Sequence, residues 1–255
     1  MTSLNWYDNC QPYDSTHGLL THNPKTDGLS SALQRGTHDA FHQSLLSTLL
    51  DKGDIAVDVG ANVGSYTVPM AKLVGSAGKV LAIEPDPLNF HLLRANLSKA
   101  CVNNTTCLMV GASDKVENLP LYRHANNSGD SRTWGKYEPL TRAAETIPAI
   151  TLDSVVPGVI KLLKIDVQGW EARVLRGAVE TLSNDLAFIL LEYWPYGLVS
   201  SGSSCEELFS LLTSFDIHVI DNRRRTFRKV LPYTNLFEPR TNYVLDLLCT
   251  RRSCG

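Results

Sequence analysis

The sequence has no run approaching the about 18 consecutive apolar residues that a transmembrane helix needs, which excludes a helical membrane span. The start, MTSLNWYDNCQPYDSTHG, lacks the basic residues and apolar stretch of a secretory signal, so a cytoplasmic location is expected. No C-x-x-C pair occurs among the six cysteines, too few for a disulfide scaffold in 255 residues, and reduced thiols follow. There is no surplus of positive charge: 24 Lys and Arg stand against 26 Asp and Glu, a net charge of −2 that argues against a globally basic nucleic-acid binder. No internal repeat is visible, and no metal-ligand set stands out. His38-Asp39-Ala40-Phe41-His42 comes near the zincin H-E-x-x-H, but carries Asp for Glu and has no obvious third ligand. It reads as the start of an amphipathic helix.

What is present is an alternation of short apolar strands and amphipathic helices. Residues 1–35 show no sustained period and read as an extension of loops or turns. From 36 onward the spacing predicts a helix over 37–50, a strand over 55–59, a helix over 63–74, a strand over 79–84 and a helix over 87–99. The last of these has Asp86 as N-cap and Pro87 in its first position. A third strand is expected near 107–111. Residues 116–150 then break the rhythm with polar residues, glycines and the isolated aromatics Tyr122, Trp134 and Tyr137, as a lid or acceptor-pocket insertion would. Alternation resumes with a strand at 160–165, a helix at 170–182, a strand at 186–191, a helix at 205–213, and strands at 217–220 and 243–249. Repeated βαβ units imply right-handed crossovers and a mainly parallel sheet. The class is therefore α/β, a Rossmann-like doubly wound fold with a seven-stranded sheet and an antiparallel C-terminal strand pair, in one domain over 36–255.

The first strand runs into Asp58-Val59-Gly60-Ala61-Asn62-Val63-Gly64. Glycines between a strand and a helix let backbone approach a ligand closely, with the helix N–H groups facing it. The spacing is G-x-x-x-G, not the G-x-G-x-x-G of a dinucleotide fold, which disfavours a nicotinamide-dependent oxidoreductase. Glu84-Pro85-Asp86 ends the next strand, Glu84 falling 20 residues after Gly64, where a carboxylate can accept both hydroxyls of a ribose.

These residues resemble the cofactor site of class I S-adenosylmethionine-dependent methyltransferases, and more narrowly the FkbM family. The likeness continues through Gly111-Ala112-Ser113-Asp114, is most specific in Ile165-Asp166-Val167-Gln168-Gly169-Trp170-Glu171, and closes at Leu190-Leu191-Glu192. It spans about 36–195. Gln168 stands where the family often has Glu, and Pro69 interrupts the first helix of the pattern. The resemblance implies S-adenosylmethionine as cofactor, with Gly60, Ala61, Asn62 and Gly64 around its methionyl part. It implies Glu84, with Pro85 and Asp86, at the ribose, Ala112 and Ser113 at the adenine, and Asp58 either holding the loop or binding the amino group. Asp166 borders both cofactor and acceptor, where it could orient the acceptor or act as base, and Glu192 is the second catalytic candidate; a helix cap is the competing role for Asp166.

The implied activity is O-methylation of a hydroxyl on a small molecule, sugar or natural product. Nucleic-acid methylation and a non-catalytic cofactor-binding scaffold are the competing readings. Against the first of these, no second lysine lies between Asp166 and Glu192 to complete a K-D-K-E tetrad, and an N-P-P-Y motif is absent. The Arg223–Lys229 cluster reads as a solvated turn between the last two strands. The implied partner is a small-molecule or glycan acceptor, with no metal site, no membrane and the oligomeric state open.

Overall fold

A computed structural model describes residues 13–15, 18–36, 40–135, 145–230, 236 and 243–252. The apolar strands line up as the alternation requires: β3 (Ile55–Val59), β4 (Lys79–Ile83), β5 (Thr105–Leu108), β9 (Leu162–Ile165) and β10 (Phe188–Tyr193) are parallel neighbours in the order β10-β9-β3-β4-β5. β9 is buried along its whole length, as expected of a strand covered on both faces. Beyond β10 the chain adds β13 (Leu245–Arg251), antiparallel to β10, and β11 (Phe215–Asp221), antiparallel to β13. The doubly wound sheet with its antiparallel C-terminal pair is therefore present.

It has one strand more than the seven expected. Thr226–Lys229 forms β12, which pairs with β11 at the sheet edge. The basic cluster accordingly makes a hairpin on β11 rather than a turn between the last two strands. Charged side chains along such an edge discourage pairing with another chain, and Lys229 is tied to Asp216 at 2.8 Å.

Helices α2 (Ala40–Leu49), α3 (Thr67–Val74), α4 (Pro87–Lys99) and α8 (Cys205–Leu211) lie close to their expected positions. Asp86 caps α4 by accepting from the Leu88 N–H at 2.9 Å. α3 begins four residues later than the period suggested, because 62–66 remain a turn. Pro69 thus sits in the first turn, where its missing N–H removes little, instead of breaking a helix interior. The expected helix over 170–182 is two, α5 (Glu171–Arg176) and α6 (Val179–Ser183). The second starts afresh because the Asp153 carboxylate, from a distant turn, accepts from the Glu180 and Thr181 N–H groups, each at 2.9 Å. Between β10 and α8 lies a short α7 (Pro195–Ser200), hidden in the sequence by Pro195 and Gly197.

The irregular stretch after β5 carries a small sheet of its own. β6 (Gly111–Ala112), β7 (Glu117–Leu121) and β8 (Glu145–Ile150) pair in the order β6-β8-β7, so the third strand expected at 107–111 is shared between two sheets. Tyr137 falls outside the described residues, as do His38 and Asp39 of the histidine motif. The N-terminal extension also holds structure: a two-residue pairing of β1 (Tyr13–Asp14) with β2 (Leu20–Thr21), and helix α1 (Gly28–Arg35).

Gly60 fixes how the two halves of the sheet meet. Its φ of 79° lies in the left-handed region, and a Cβ there would fall 1.9 Å from the Asp166 carbonyl oxygen. Gly60→Ala combines left-handed strain with a backbone collision. It should lower the unfolding free energy by about 2–4 kcal/mol, readable as a lower urea midpoint.

Candidate active site

The carboxyl ends of β3, β4, β9 and β10 open onto one cavity of about 850 Å³. Such a crevice at the strand ends is where doubly wound sheets bind ligands. Val59 and Gly60, Ile83 and Glu84, Ile165 and Asp166, and Leu191 and Glu192 bring one pair from each strand into its wall. Residues far apart in sequence are gathered because each strand ends at the same edge.

In the first half of the cavity, Glu84 is buried and accepts from the Asn62 N–H and the Asp86 N–H, both at 2.8 Å. Burial, reinforced by the neighbouring Asp86 charge, raises its pKa to about 8. Asn62 holds the turn with φ 49°, accepts from the Val63 N–H at 2.7 Å and donates Nδ2 to the Ser128 carbonyl at 3.0 Å. Ile83, Ala112 and Leu121 form an apolar wall nearby. Of the residues expected at a cofactor, Gly60, Asn62, Glu84, Pro85, Ala112 and Asp166 line the cavity.

Asp58, Ala61, Gly64, Asp86 and Ser113 do not line it. Asp58 is fully buried, accepts from Thr67 Oγ1 at 2.6 Å and lies 3.5 Å from Lys164 Nζ, so it holds the loop. Gly64 packs against Leu93, which a Cβ would meet at 2.8 Å. Asp86 is ion-paired with Arg123 at 2.7 Å. The Ser113 hydroxyl donates to Glu117 at 2.7 Å.

In the second half, Asp166 lies 3.4 Å from Lys164 Nζ and accepts from Gln168 Nε2 at 3.0 Å. The same Gln168 amide donates to Glu192 Oε2 at 2.7 Å. Gln168 reaches both carboxylates from a left-handed backbone, φ 55°, and its carbonyl is held by Trp134 Nε1 at 2.7 Å. An amide can donate to two carboxylates where a glutamate would add a third negative charge. Glu192 stands opposite Asp246 across β10 and β13. Burial first, then the charges of Asp166, Glu171 and Asp246, push its pKa well above the usual carboxylate range.

Asp166 caps no helix. The backbone ahead of α5 is instead satisfied by Glu171, which accepts from the Val167 and Gly169 N–H groups at 3.2 and 3.0 Å. Lys164 went unassigned in the sequence. Its signal is a lone ammonium in a strand otherwise apolar on both faces, where it touches Asp58, Asp166 and the Gly60 carbonyl and lies over the Tyr66 ring. Arg132 is another unpredicted wall residue, paired with Asp130 and placed over the rings of Trp134 and Trp194. Among the described residues no group of three or more His, Cys, Asp or Glu is arranged to hold a metal ion, and no helix is long and apolar enough to cross a membrane.

A family model described as the methyltransferase FkbM domain matches residues 58–223, well over half of the chain. The chain belongs to the FkbM methyltransferase family. It is 28% identical over 168 residues to the hexuronic acid methyltransferase AglP of Haloferax volcanii, covering 62% of each protein. To the 2-O-methyltransferase NoeI of Sinorhizobium fredii it is 25% identical over 194 residues, covering 69% of this chain and 78% of that one. The curated relatives it matches are spanned to differing extents, from 38% of one to 78% of another. The crystal structure of an FkbM methyltransferase from Methylobacillus flagellatus superposes with a TM-score of 0.50 at 16% identity, over 80% of this chain and 47% of that one, a likeness of fold.

Glu171 yields a pH test. Burial raises its pKa to about 7 from an ordinary 4.5, so the folded protein holds this proton more tightly than the unfolded chain. Its contribution to stability is therefore full below about pH 4.5 and declines as pH rises to about 7. Glu171→Gln keeps an oxygen for both N–H groups and removes the ionisation. Denaturant melts at pH 5 and pH 8 should show a smaller loss of stability in this variant than in the wild type.

Proposed function

We propose that the protein transfers a methyl group from S-adenosylmethionine to a hydroxyl oxygen of a sugar or another small molecule. The observation that carries this reading is one continuous cavity with the glycine turn and Glu84 at one side and the Gln168-bridged carboxylates Asp166 and Glu192 at the other. The first half suits the cofactor: Glu84 lines the cavity, oriented by the Asn62 and Asp86 N–H groups and the Asn89 side chain, where its carboxylate can accept from a ribose hydroxyl, and the apolar wall offers a surface for a base. When bound, the cofactor supplies an electrophilic methyl on a positive sulfonium. AglP and NoeI bear names of sugar-acid and 2-O methylation, which favours oxygen and a glycan as acceptor. The Arg223–Lys229 run lies on the edge hairpin and none of its residues lines the cavity, so nucleic acid gains no support.

The protein must align the acceptor oxygen, take its proton and exclude water. Asp166, 3.4 Å from Lys164 Nζ and in the cavity wall, is placed to accept a hydrogen bond from a hydroxyl and so orient it. Glu192 has the raised proton affinity that base catalysis needs, and Gln168 Nε2 bridges it to Asp166.

Calorimetric titration with S-adenosylhomocysteine and NAD tests the cofactor; preferential NAD binding would overturn the reading. Ribose hydroxyls donate to the ionised form of Glu84. With its pKa at about 8, S-adenosylhomocysteine affinity should rise from pH 6.5 to pH 8.5 and then level off, with proton release on binding.

Transfer of labelled methyl to a panel of monosaccharides and uronic acids tests the acceptor class. With a positive acceptor, Asp166→Asn should lower turnover by about 10²–10⁴-fold while cofactor affinity stays within a few-fold. Wild-type turnover should climb with pH as Glu192 loses its proton. Glu192→Gln should be slow at every pH and lack that rise.

A further inference from the structure

The matched family domain begins at residue 58, yet part of the cavity wall comes from before it. Gly28, Leu29 and Ala32 of α1 line the cavity together with Asn127, Ser128 and Gly129 of the insertion. The two segments touch directly: the Gly28 N–H donates to the Asn126 carbonyl at 2.8 Å, and a Cβ on Gly129 would meet Leu29 at 3.2 Å. One buried carboxylate joins them. Asp27 accepts from the Ser30 N–H at 2.8 Å, capping α1, and also from the Ser128 N–H at 2.5 Å and the Ser128 hydroxyl at 3.1 Å.

The joined segments are fastened to the cofactor half of the site at two further places. The Ser128 carbonyl takes the Asn62 and Asn89 amides, at 3.0 and 3.2 Å, so the tip of the insertion hangs from the glycine turn itself. Farther back, the buried Asn96 side chain accepts from the Leu20 N–H at 2.6 Å. It donates to the Leu20 and Val63 carbonyls at 2.9 and 2.7 Å, pinning the start of the strap to α4 and to the same turn.

We infer that residues 20–36 are a roof over the cofactor half of the cavity, closed onto the insertion by Asp27, which acts as a positioning residue for cofactor retention. This rests on the cofactor reading above. The strap is anchored at Leu20, and Asp27, beside the Gly28–Asn126 bond, ties its helix to the insertion through Ser128. Releasing its bonds to Ser128 loosens α1 from the 127–129 turn, with the Gly28–Asn126 bond still between the segments, and does not touch Glu84 or the glycine turn.

Asp27→Asn separates the two duties of the carboxylate. Asparagine is a good helix cap and its oxygen can still accept from Ser30, but a single carbonyl with an NH₂ beside it cannot serve both Ser30 and the Ser128 N–H. Asp27→Ala loses all three bonds. Full-length wild type and both variants are titrated with S-adenosylhomocysteine, and dissociation is timed by displacement of labelled S-adenosylmethionine. Hydrogen exchange is followed at 27–36 and 126–130 with and without S-adenosylhomocysteine. The expected result is that Asp27→Asn binds about tenfold more weakly, mainly through faster dissociation. The ligand should slow exchange in both segments of the wild type but not in the variant. Wild-type dissociation and protection in Asp27→Asn would overturn the inference, and a defect confined to Asp27→Ala would reduce Asp27 to a helix cap. Failure of the wild type to bind S-adenosylhomocysteine would instead refute the cofactor reading, and the roof with it.

Discussion

The architecture of the site depends on a contact that contains no side chain: the Cα of Gly60 against the backbone carbonyl of Asp166. Any Cβ at position 60 would occupy the space of that oxygen. Because it is absent, the turn after β3 and the loop after β9 lie together at the sheet edge. That places the Glu84 side of the cavity beside the Asp166 and Glu192 side, the juxtaposition that the proposed transfer between two bound molecules needs. It also brings the carbonyl of Gly60 within 3.3 Å of Lys164 Nζ, so the contact and the central cation share one geometry.

That cation sits in a strongly acidic neighbourhood. Asp58, Asp166, Glu171 and Glu192 lie at or behind the ends of three adjacent strands, and Lys164 is set between Asp58 and Asp166. Charge of one sign at such density cannot all be neutralised by one ammonium, so part of it is relieved by proton uptake. Burial is the larger cause of the tightly held protons of Glu171 and Glu192, and the neighbouring negative charges add to it. Gln168 fits the same logic, because an amide bridging two carboxylates supplies donors without further charge. A glutamate in its place would add a charge to the pair, which the amide does not.

The cavity is closed by segments outside the alternating βαβ framework. The insertion builds its own three-stranded sheet from β6, β7 and β8, and a turn beyond β7 reaches back to the glycine loop through Ser128. Asp27 and Asn96 draw the N-terminal segment into the same assembly. The boundary near residue 35 that composition suggests therefore separates patterns in the sequence, while the hydrogen bonds run across it.

The sequence by itself determined the elements whose period is set by burial. β3, β4, β9 and β10 are apolar because both faces are covered, and the capping residue and proline ahead of α4 are local chemistry. The glycine turn and Glu84 were legible for the same reason, since positive φ and a strand-end carboxylate are properties of single positions. The hidden signals were weaker: Asp27 ahead of Leu29, Ala32 and Leu33 is a helix start within a polar stretch, and Lys164 is a lone charge in an apolar strand. What only the tertiary structure decided is which polar groups face the cavity. Ser113 and Asp86 turn to Glu117 and Arg123, Asp58 turns inward to Thr67, and Glu171 rather than Asp166 serves the backbone ahead of α5. Those choices depend on partners tens of residues away or on the local path of a loop, and a buried polar group takes whichever partner spares it desolvation. Periodicity records burial, but a hydrogen-bond partner is known only once the chain has brought it within reach.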